Sequence, residues 1–324
     1  MGKDQLGHLN FLLKHALQPI NQWNGFYKPF SEQFSDESSK FQVAFSSYAL
    51  YHLAKQYPKY KNDCINAIDQ LIQKMLNKRC WKYWKKISKN PDPVAHGNIM
   101  YSGHLLLMLG LYKKLSDNDK YDHDFILKLN EEQEFRYNHS SLAEIVYEQM
   151  KCNEHHGVAC QFGSVFVFCT NVGALGLQVY DEINETFYSQ VNEKWVNWMK
   201  ENFIRDNLNK GIFHELYSSP LNIMDPFSFN GLDAPGLMTL APLKPKLTKQ
   251  LFQHFKKNVL IYNDNEVDIN YEFLANILNK AMFGILSEEA TDGYSYIVFN
   301  QLLEQDKNIL EKLKKYIDNK YKPK

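Results

Sequence analysis

Residues His96–Tyr112 read HGNIMYSGHLLLMLGLY, and this stretch indicates how the chain folds. Its apolar residues recur at the three- and four-residue spacing of one helix face: Leu105, Met108, Leu109 and Tyr112. Met100 and His104 are four residues apart, so a helix places them one above the other. Polar residues cluster near Asn98, where the helix is expected to begin. We predict a helix whose first turns, with Met100 and His104, face one end of a helix bundle.

The same helical spacing recurs along most of the chain. Apolar stripes mark 41–49 and 65–75. The other expected helices are an amphipathic one at the N-terminus and those at 138–152, 164–180, 184–204, 271–286 and 307–319. No fixed-period repeat is visible, which argues against a solenoid. The sequence predicts an all-α protein of about twelve helices joined by short turns, in one domain over residues 1–324.

Residues 220–245 are the exception, because five of the eleven prolines fall there. Proline at that density stops helices, so we expect an irregular proline-rich loop. A long irregular stretch in a compact helical protein is often a functional loop or lid. A rigid surface crossover is the alternative.

The composition excludes several classes of protein. The 324 residues include 37 Lys and Arg and 37 Asp and Glu, so the zero net charge gives no footprint for nucleic acid or an anionic membrane. The chain has no glycine-rich phosphate loop and no apolar run long enough to span a bilayer. Aromatic residues make up 14%, which suits an apolar ligand cavity. We expect a soluble cytoplasmic protein that binds a small apolar molecule.

Two of the five cysteines, Cys160 and Cys169, lie nine residues apart in GVACQFGSVFVFC. None of the five has zinc-site spacing, and in a reducing compartment all should be free thiols. Ser164 is a plausible N-cap, which predicts a helix from Val165 with Cys160 just before it and Cys169 inside it. The positive end of the helix dipole would then favour reactive thiolates. Simple burial as small hydrophobic residues is the alternative.

Five stretches occur in an order that is more specific than any of them alone: FQVAFSSYALYHLAKQYP, IDQLIQKMLNKRCWKYW, GNIMYSGH, EFRYNHSSLAEIVYEQM and GVACQFGSVFVFC. Together they resemble the linalool dehydratase/isomerase family, closely over residues 38–182. The resemblance implies an (α/α)6 barrel that assembles into a cyclic homo-oligomer. It also implies chemistry without a cofactor or metal, which interconverts a tertiary allylic alcohol, its dehydration product and the isomeric primary alcohol.

The resemblance also implies a site. His104, Cys160 and Cys169 would be the catalytic residues, with the two thiols flanking one substrate cavity as acid, base or transient nucleophile. The implied substrate-binding positions are Met100, Tyr101, Phe166, Gln161, Phe41, Tyr48 and Asp36.

Two positions depart from the family pattern. Gln161 is neutral where the family has an acid after the first cysteine. The family also pairs an aspartate with a tyrosine, and the nearest match here is Asp36 with Phe41, which has no hydroxyl group. Tyr48 could supply one only if the register shifts. We therefore expect activity on linalool itself to be weak or absent, with related lyase or isomerase chemistry on an apolar alcohol or alkene.

Two other functions stay open. A catalytically drifted barrel would bind a lipophilic small molecule or a protein partner. A carbohydrate-active enzyme of the same fold would need two carboxylates about 5–10 Å apart, and no acidic pair stands out in the sequence.

Overall fold

The structure is a computed structural model that describes residues 3–26, 38–225, 230–263, 266–270, 288–302 and 307–320. Within them the chain is mostly helical, with twelve α-helices, which confirms the all-α prediction. The chain divides into two compact units, Met1–Gly163 with Val172–Trp195, and Ser164–Asn171 with Val196–Lys324. The single domain expected over the whole chain stays a prediction, and the helix expected at 271–286 lies outside the described residues.

The first unit contains the helices that carry most of the sequence stripes. They are α1 (Lys3–Ala16), α2 (Ser38–Gln56), α3 (Lys61–Leu76), α4 (Trp84–Ile87), α5 (Ile99–Ser116), α6 (His139–Cys152), most of α7 (Val167–Asn184) and the start of α8 (Val191–Asn202). Helix α2 packs against α1, α3 and α5, and α5 also packs against α3 and α6.

Helix α5 forms the core of the first unit. Every residue from Ile99 to Gly110 is buried, as are Tyr112 and Leu115 near its end. A helix that is apolar all round is stable only when neighbours cover every face, as α2, α3 and α6 do here. This confirms the helix predicted from its sequence.

The start of α5 is set by two residues with left-handed backbone. Gly97 has φ +82° and Asn98 has φ +61°. A Cβ atom at position 97 would lie 3.2 Å from the carbonyl oxygen of Ala159, so glycine allows the loop before Cys160 to approach closely. Tyr83 donates a hydrogen bond to the side-chain oxygen of Asn98 at 2.7 Å. The helix therefore begins where predicted, directly beside the loop that carries Cys160.

A β-hairpin that the helical periodicity did not predict connects α5 to α6. Strands β1 (Phe125–Lys128) and β2 (Glu134–Tyr137) are antiparallel, with Phe125 opposite Tyr137. Asn138 follows β2 directly and caps α6 by accepting a hydrogen bond from the backbone N–H of Ser141.

The second unit combines a small sheet with the remaining helices. Strands β3 (Ser164–Val165), β4 (Tyr217–Ser218) and β5 (Ile223–Met224) form an antiparallel sheet in that order. The other elements are α9 (Asp233–Leu243), α10 (Pro245–Val259), β6 (Leu260–Asn263), β7 (Glu266–Ile269), α11 (Glu288–Leu302) and α12 (Lys307–Lys320). Helix α9 packs against α10 and α11, while β6 and β7 form a hairpin.

Two boundary predictions are corrected. Helix α7 begins at Val167 and not at Val165, because Ser164 and Val165 pair with β4. The helix expected over 184–204 spans only Val191–Asn202, since α7 extends to Asn184. Between the two helices, the Asp181 carboxylate accepts the backbone N–H groups of Tyr188 and Ser189.

The proline-rich segment 220–245 is helical over Asp233–Leu243. Pro235 is the third residue of α9, where a backbone N–H has no partner within the helix, and Pro242 lies in the last turn. The prolines are therefore compatible with a short helix, and the prediction of a wholly irregular loop is wrong for this part. None of the helices in the described residues is long and apolar enough to cross a membrane.

Candidate active site

His104 lies in an aromatic enclosure built by one face of α2. The imidazole is fully buried. The rings of Phe41 and Phe45 approach it edge-on, with centroid distances of 5.5 and 5.7 Å, and the Tyr48 ring is stacked at 6.0 Å. These three residues occupy positions i, i+4 and i+7 of a helix, so they share a face. The sequence predicted Phe41 and Tyr48 as site residues but treated Phe45 only as part of an apolar stripe.

The Tyr48 hydroxyl oxygen lies 2.8 Å from Nδ1 of His104. Burial raises the pKa of Tyr48 well above its usual value, so the phenol keeps its proton. Burial, assisted by the charge of Lys40, lowers the pKa of His104 to about 3, so the imidazole is neutral near pH 7. The neutral ring has one N–H: it carries the proton on Nε2 when Nδ1 accepts the hydrogen bond from Tyr48, and on Nδ1 when Nδ1 donates it.

Lys40 is a buried cation beside this enclosure that the sequence did not single out. Its Nζ atom lies 4.1 Å from the ring centroid of Tyr83 and 5.0 Å from that of Phe41. Aromatic faces attract a cation through their quadrupole, which makes these rings suitable neighbours for a buried ammonium group. Nothing in the local sequence distinguishes Lys40 from a surface lysine.

The loop before α7 brings two further predicted residues, Cys160 and Gln161, to the first turn of α5, which carries Met100. Met100 is buried, and Gln161 Nε2 lies 4.0 Å from its sulfur atom. Cys160, beside Gln161, is only 1% exposed. Tyr101 points to α3 instead, where its hydroxyl donates to the backbone oxygen of Met75 at 3.1 Å. Gln161 thus contacts Met100, with Cys160 next to it in the chain, while the hydroxyl of Tyr101 is hydrogen-bonded to α3.

Cys169 and Phe166 belong to the second unit. Cys169 is the third residue of α7 and 5% exposed, and Phe166 is half-buried just before the helix. Burial raises the pKa of Tyr294, and Cys169 adds to this effect. The prediction that Cys160 and Cys169 flank one cavity stays a prediction, and Asp36 lies outside the described residues.

The helix-dipole argument for Cys160 is corrected. Because α7 begins at Val167, Cys160 is separated from its N-terminus by a 3-10 turn and strand β3. The dipole effect falls off within the first turn, so it does not reach Cys160. All five cysteines lie in described parts of the chain with free thiols, and Cys152 is the exposed one.

Two glycines bring α5 and the later part of α7 into backbone contact. A Cβ atom at Gly103 would lie 3.0 Å from the backbone nitrogen of Gly173. Gly103 directly precedes His104, and Gly173 follows Cys169 by one helical turn. Substitution of either glycine would therefore disturb the helices that carry two of the predicted catalytic residues.

The second unit contains a group of carboxyl side chains that sequence analysis missed. Glu215, Asp225 and Asp233 are all buried. Burial raises the pKa of Glu215, and the charges of Asp233 and Asp225 raise it further. They lie in three separate segments, so no sequence spacing pointed to them. In the described part of the chain, no group of three or more histidine, cysteine or acidic residues is placed to hold a metal ion.

Comparison with solved structures gives the class of fold. The structure is similar to that of an α-1,6-mannanase from Salegentibacter sp. HEL1_6, an inactive variant solved with alpha-1,6-mannotetrose. The TM-score is 0.52 at 11% sequence identity, covering 97% of this chain and 85% of the mannanase chain. This likeness shows an (α/α)6-barrel fold, as predicted.

The family follows from the sequence itself. The pattern of the linalool dehydratase/isomerase family matches residues 40–324, which is most of the chain. The protein therefore belongs to the linalool dehydratase/isomerase family, and the resemblance predicted from its ordered motifs is confirmed.

Proposed function

We propose that the protein is a lyase or isomerase that acts, without a cofactor, on an apolar, terpenoid-like allylic alcohol or alkene. Membership of the linalool dehydratase/isomerase family supports this reaction class. The structural observation that carries the proposal is the buried, neutral His104, held by Tyr48 within three aromatic rings of α2. Such a group can move a proton in surroundings that otherwise suit a hydrocarbon chain.

Dehydration of an allylic alcohol requires two proton transfers. The hydroxyl group leaves as water after receiving a proton, and a neighbouring C–H bond gives its proton to a base, which forms the new double bond. Positive charge develops on the allylic carbons in between. Aromatic faces such as those of Phe41 and Phe45 can stabilise this charge. A correctly placed acid or base contributes about 10²–10⁴ to the rate.

His104 is suited to transferring a proton during the reaction, but it does not stay protonated between turnovers. Because its pKa lies at about 3, the imidazolium form is scarce near pH 7. A neutral imidazole can release a proton from one ring nitrogen while it takes one up at the other, and the Tyr48 hydroxyl, which keeps its own proton, orients the ring through Nδ1. We assign Cys169 to proton exchange at the substrate and Cys160 to the counterpart role, as the family resemblance implies.

Tyr48 supplies the hydroxyl group that Phe41 lacks. The two residues are seven apart, which is two helical turns, so both face His104 without a shift in register. Gln161 can bind a polar group but cannot take up a proton. We therefore propose a reaction related to that of linalool dehydratase/isomerase, with weak or no activity on linalool itself.

The test is to incubate the purified protein with C10 and C15 allylic alcohols in deuterated water. Enzyme-dependent dehydration, isomerisation or incorporation of deuterium at carbon is expected. Cys169→Ala should abolish it, whereas Cys64→Ala, which alters a buried thiol on α3, should not. Equal activity in both variants would remove the thiol from the mechanism.

No turnover of any isoprenoid alcohol would favour the second function, a drifted barrel that only binds a lipophilic molecule or a protein partner. We also propose a cytoplasmic location and a cyclic homo-oligomer. The family resemblance implies the assembly, and analytical ultracentrifugation would show a single monomeric species if it is absent.

A further inference from the structure

Glu215 is a buried acid whose carboxyl oxygens lack a hydrogen bond of good geometry within the described residues. Its side chain is 8% exposed, and neither carboxyl oxygen has a hydrogen-bond partner in the described residues. The backbone N–H of Leu232 is close enough to favour the ionised carboxylate and so to lower the pKa of Glu215. Buried polar groups are nearly always hydrogen-bonded, so one that is not calls for an explanation. A ligand that completes its hydrogen bonds is such an explanation.

A rigid frame holds the segment that carries Glu215. The Asp233 carboxylate accepts the backbone N–H groups of Ile212 and Phe213 at 2.8 and 2.9 Å. The Asp225 carboxylate accepts the backbone N–H of Glu215 itself at 2.8 Å. Two acids from two other segments thus fix this stretch of backbone, which leaves the Glu215 side chain pre-positioned and unused.

A further unpartnered oxygen, on a second side chain, lies in the same cluster. Asp225 is also 8% exposed, and its Oδ2 atom has no hydrogen-bond partner among the described residues. Asp225 Oδ1, by contrast, is used by the Glu215 backbone. The frame therefore presents carboxyl oxygens from two neighbouring side chains with hydrogen-bonding capacity to spare.

The same frame is tied to the helix that carries Cys169. Asn171 donates a hydrogen bond to the hydroxyl of Thr239 on α9 at 3.2 Å. Position 236 on α9 is close to both Phe213 and Val167, since a Cβ atom there would lie 2.9 Å from the Phe213 ring and 3.7 Å from the Val167 side chain. The first turns of α7 and the segment before Glu215 are thus packed against one helix.

The chemistry of the cluster favours a neutral hydroxyl group. Burial, together with the charges of Asp233 and Asp225, raises the pKa of Glu215 well above its usual value, although Arg205 opposes this. A protonated carboxyl group offers one donor and one acceptor, which complements an alcohol. A hydroxyl group can accept from Glu215 and donate to Asp225. The described cluster is not placed to hold a metal ion.

We propose that the Glu215 carboxyl group, framed by Asp225 and Asp233, binds the hydroxyl group of the apolar alcohol on which the protein acts. This inference rests on the proposed function for its ligand class. It adds a binding residue in the second unit and predicts a preference of that residue for alcohols over hydrocarbons.

The test compares geraniol, a C10 allylic alcohol, with myrcene, a C10 triene that has no hydroxyl group. Calorimetric titration should show that Glu215→Leu weakens geraniol binding about 10-fold, the loss expected for one hydrogen bond, and leaves myrcene binding unchanged. Glu215→Gln keeps a donor and an acceptor and should retain most of the geraniol affinity. Glu201→Leu, which alters an exposed acid on α8, is the matched control and should change neither.

Several outcomes would overturn the inference. Unchanged geraniol affinity in Glu215→Leu would do so and leave the proposed function standing. A lower melting temperature of Glu215→Leu would show that the carboxyl group serves the fold, since removal of an unsatisfied buried group should not destabilise it. Binding of methyl mannoside in place of geraniol would identify a sugar site. If the wild type binds neither geraniol nor myrcene, this inference and the proposed function are overturned together.

Discussion

At the scale of single residues, the chemistry of His104 depends on what surrounds it. Three rings of α2 surround the buried imidazole, and the Tyr48 hydroxyl orients it by a hydrogen bond at Nδ1. The i, i+4, i+7 spacing of those rings is visible in the sequence. The pairing of that face with His104, 56 residues from Tyr48, is not, because it depends on how α2 and α5 pack.

Tyr48→Phe should reduce turnover about 100-fold or more without unfolding the protein. The change removes only the hydroxyl group that bonds His104 Nδ1, and the ring stays in place. Tyr51→Phe is the matched control, since this tyrosine contacts His52 on the same helix. The rate is measured with whichever alcohol the deuterium assay identifies. If the two variants retain equal activity, Tyr48 has no part in the proton relay.

Lys40→Met should raise the pKa of His104. Burial is the main cause of its low value of about 3, and the charge of Lys40 lowers it further. Removal of that charge leaves burial in place, so the pKa should move up but stay below 6.5. NMR titration of the imidazole protons measures the shift. A pKa that is unchanged or lower in the variant would contradict the electrostatic role of Lys40.

At the scale of elements, small residues decide how closely helices approach. Gly103 on α5 meets Gly173 on α7 backbone to backbone. Gly97 lets the loop at Ala159 approach the start of α5. Both contacts help to position the residues predicted to act on the substrate.

Gly103→Ala should lower the free energy of unfolding by about 1–3 kcal/mol, since the added methyl group meets backbone that has to shift. Gly7→Ala is the control, because nothing lies within 4 Å of a Cβ atom there in α1. Alanine favours a helix over glycine by up to about 1 kcal/mol, so the control should be neutral or stabilising. Urea unfolding of both variants measures the difference, and a stabilised Gly103→Ala would contradict the close contact.

The existence of elements was more predictable than their ends. The apolar run of α5 and the stripe of α3 follow directly from helical periodicity, and both helices are present. The start of α7 was misplaced by two residues because Ser164 and Val165 pair with Tyr217 and Ser218, more than 50 positions away. Such pairing is tertiary and leaves no trace in local spacing. The helix around Pro235 was missed because a proline count ignores position within a turn.

At the scale of the whole molecule, buried titratable groups make stability depend on pH in opposite directions. Burial lowers the pKa of His104 to about 3 and is the main cause that lowers that of His139 to about 4. It also raises the pKa of Asp233 to about 7. Histidines that stay neutral oppose folding in acid, because the unfolded chain binds protons that the folded one does not. An acid that keeps its proton opposes folding as the pH rises from about 4 towards 7.

His104→Gln should make the protein less sensitive to acid. Between pH 6.5 and about 3 the unfolded state protonates this histidine and the folded state does not, so the free energy of unfolding falls as the pH falls. One such group contributes up to about 1.4 kcal/mol per pH unit. Urea midpoints are measured for the variant and the wild type at pH 7, 6 and 5. The difference between the two proteins gives the contribution of His104, because Asp233 is present in both. An exposed histidine, His254, provides the control as His254→Gln. Parallel curves would contradict a neutral His104.

The fold class and family were predictable because they depend on patterns spread over the whole chain. Helical spacing recurs from α1 to α12, and the motifs occur in the order that is typical of the family. The cluster at Glu215 was not predictable, since its three acids come from separate segments and only the folded chain brings them together.

The single accessible thiol has a practical consequence. Among the five cysteines, all of which lie in described residues, Cys152 at the end of α6 is exposed and the other four are buried. A maleimide dye should therefore attach once per chain, and mass spectrometry of the labelled protein would show one adduct. The fluorophore would then report rotational diffusion, and hence the size of the particle, with no engineered substitution, while Cys160 and Cys169 remain unmodified.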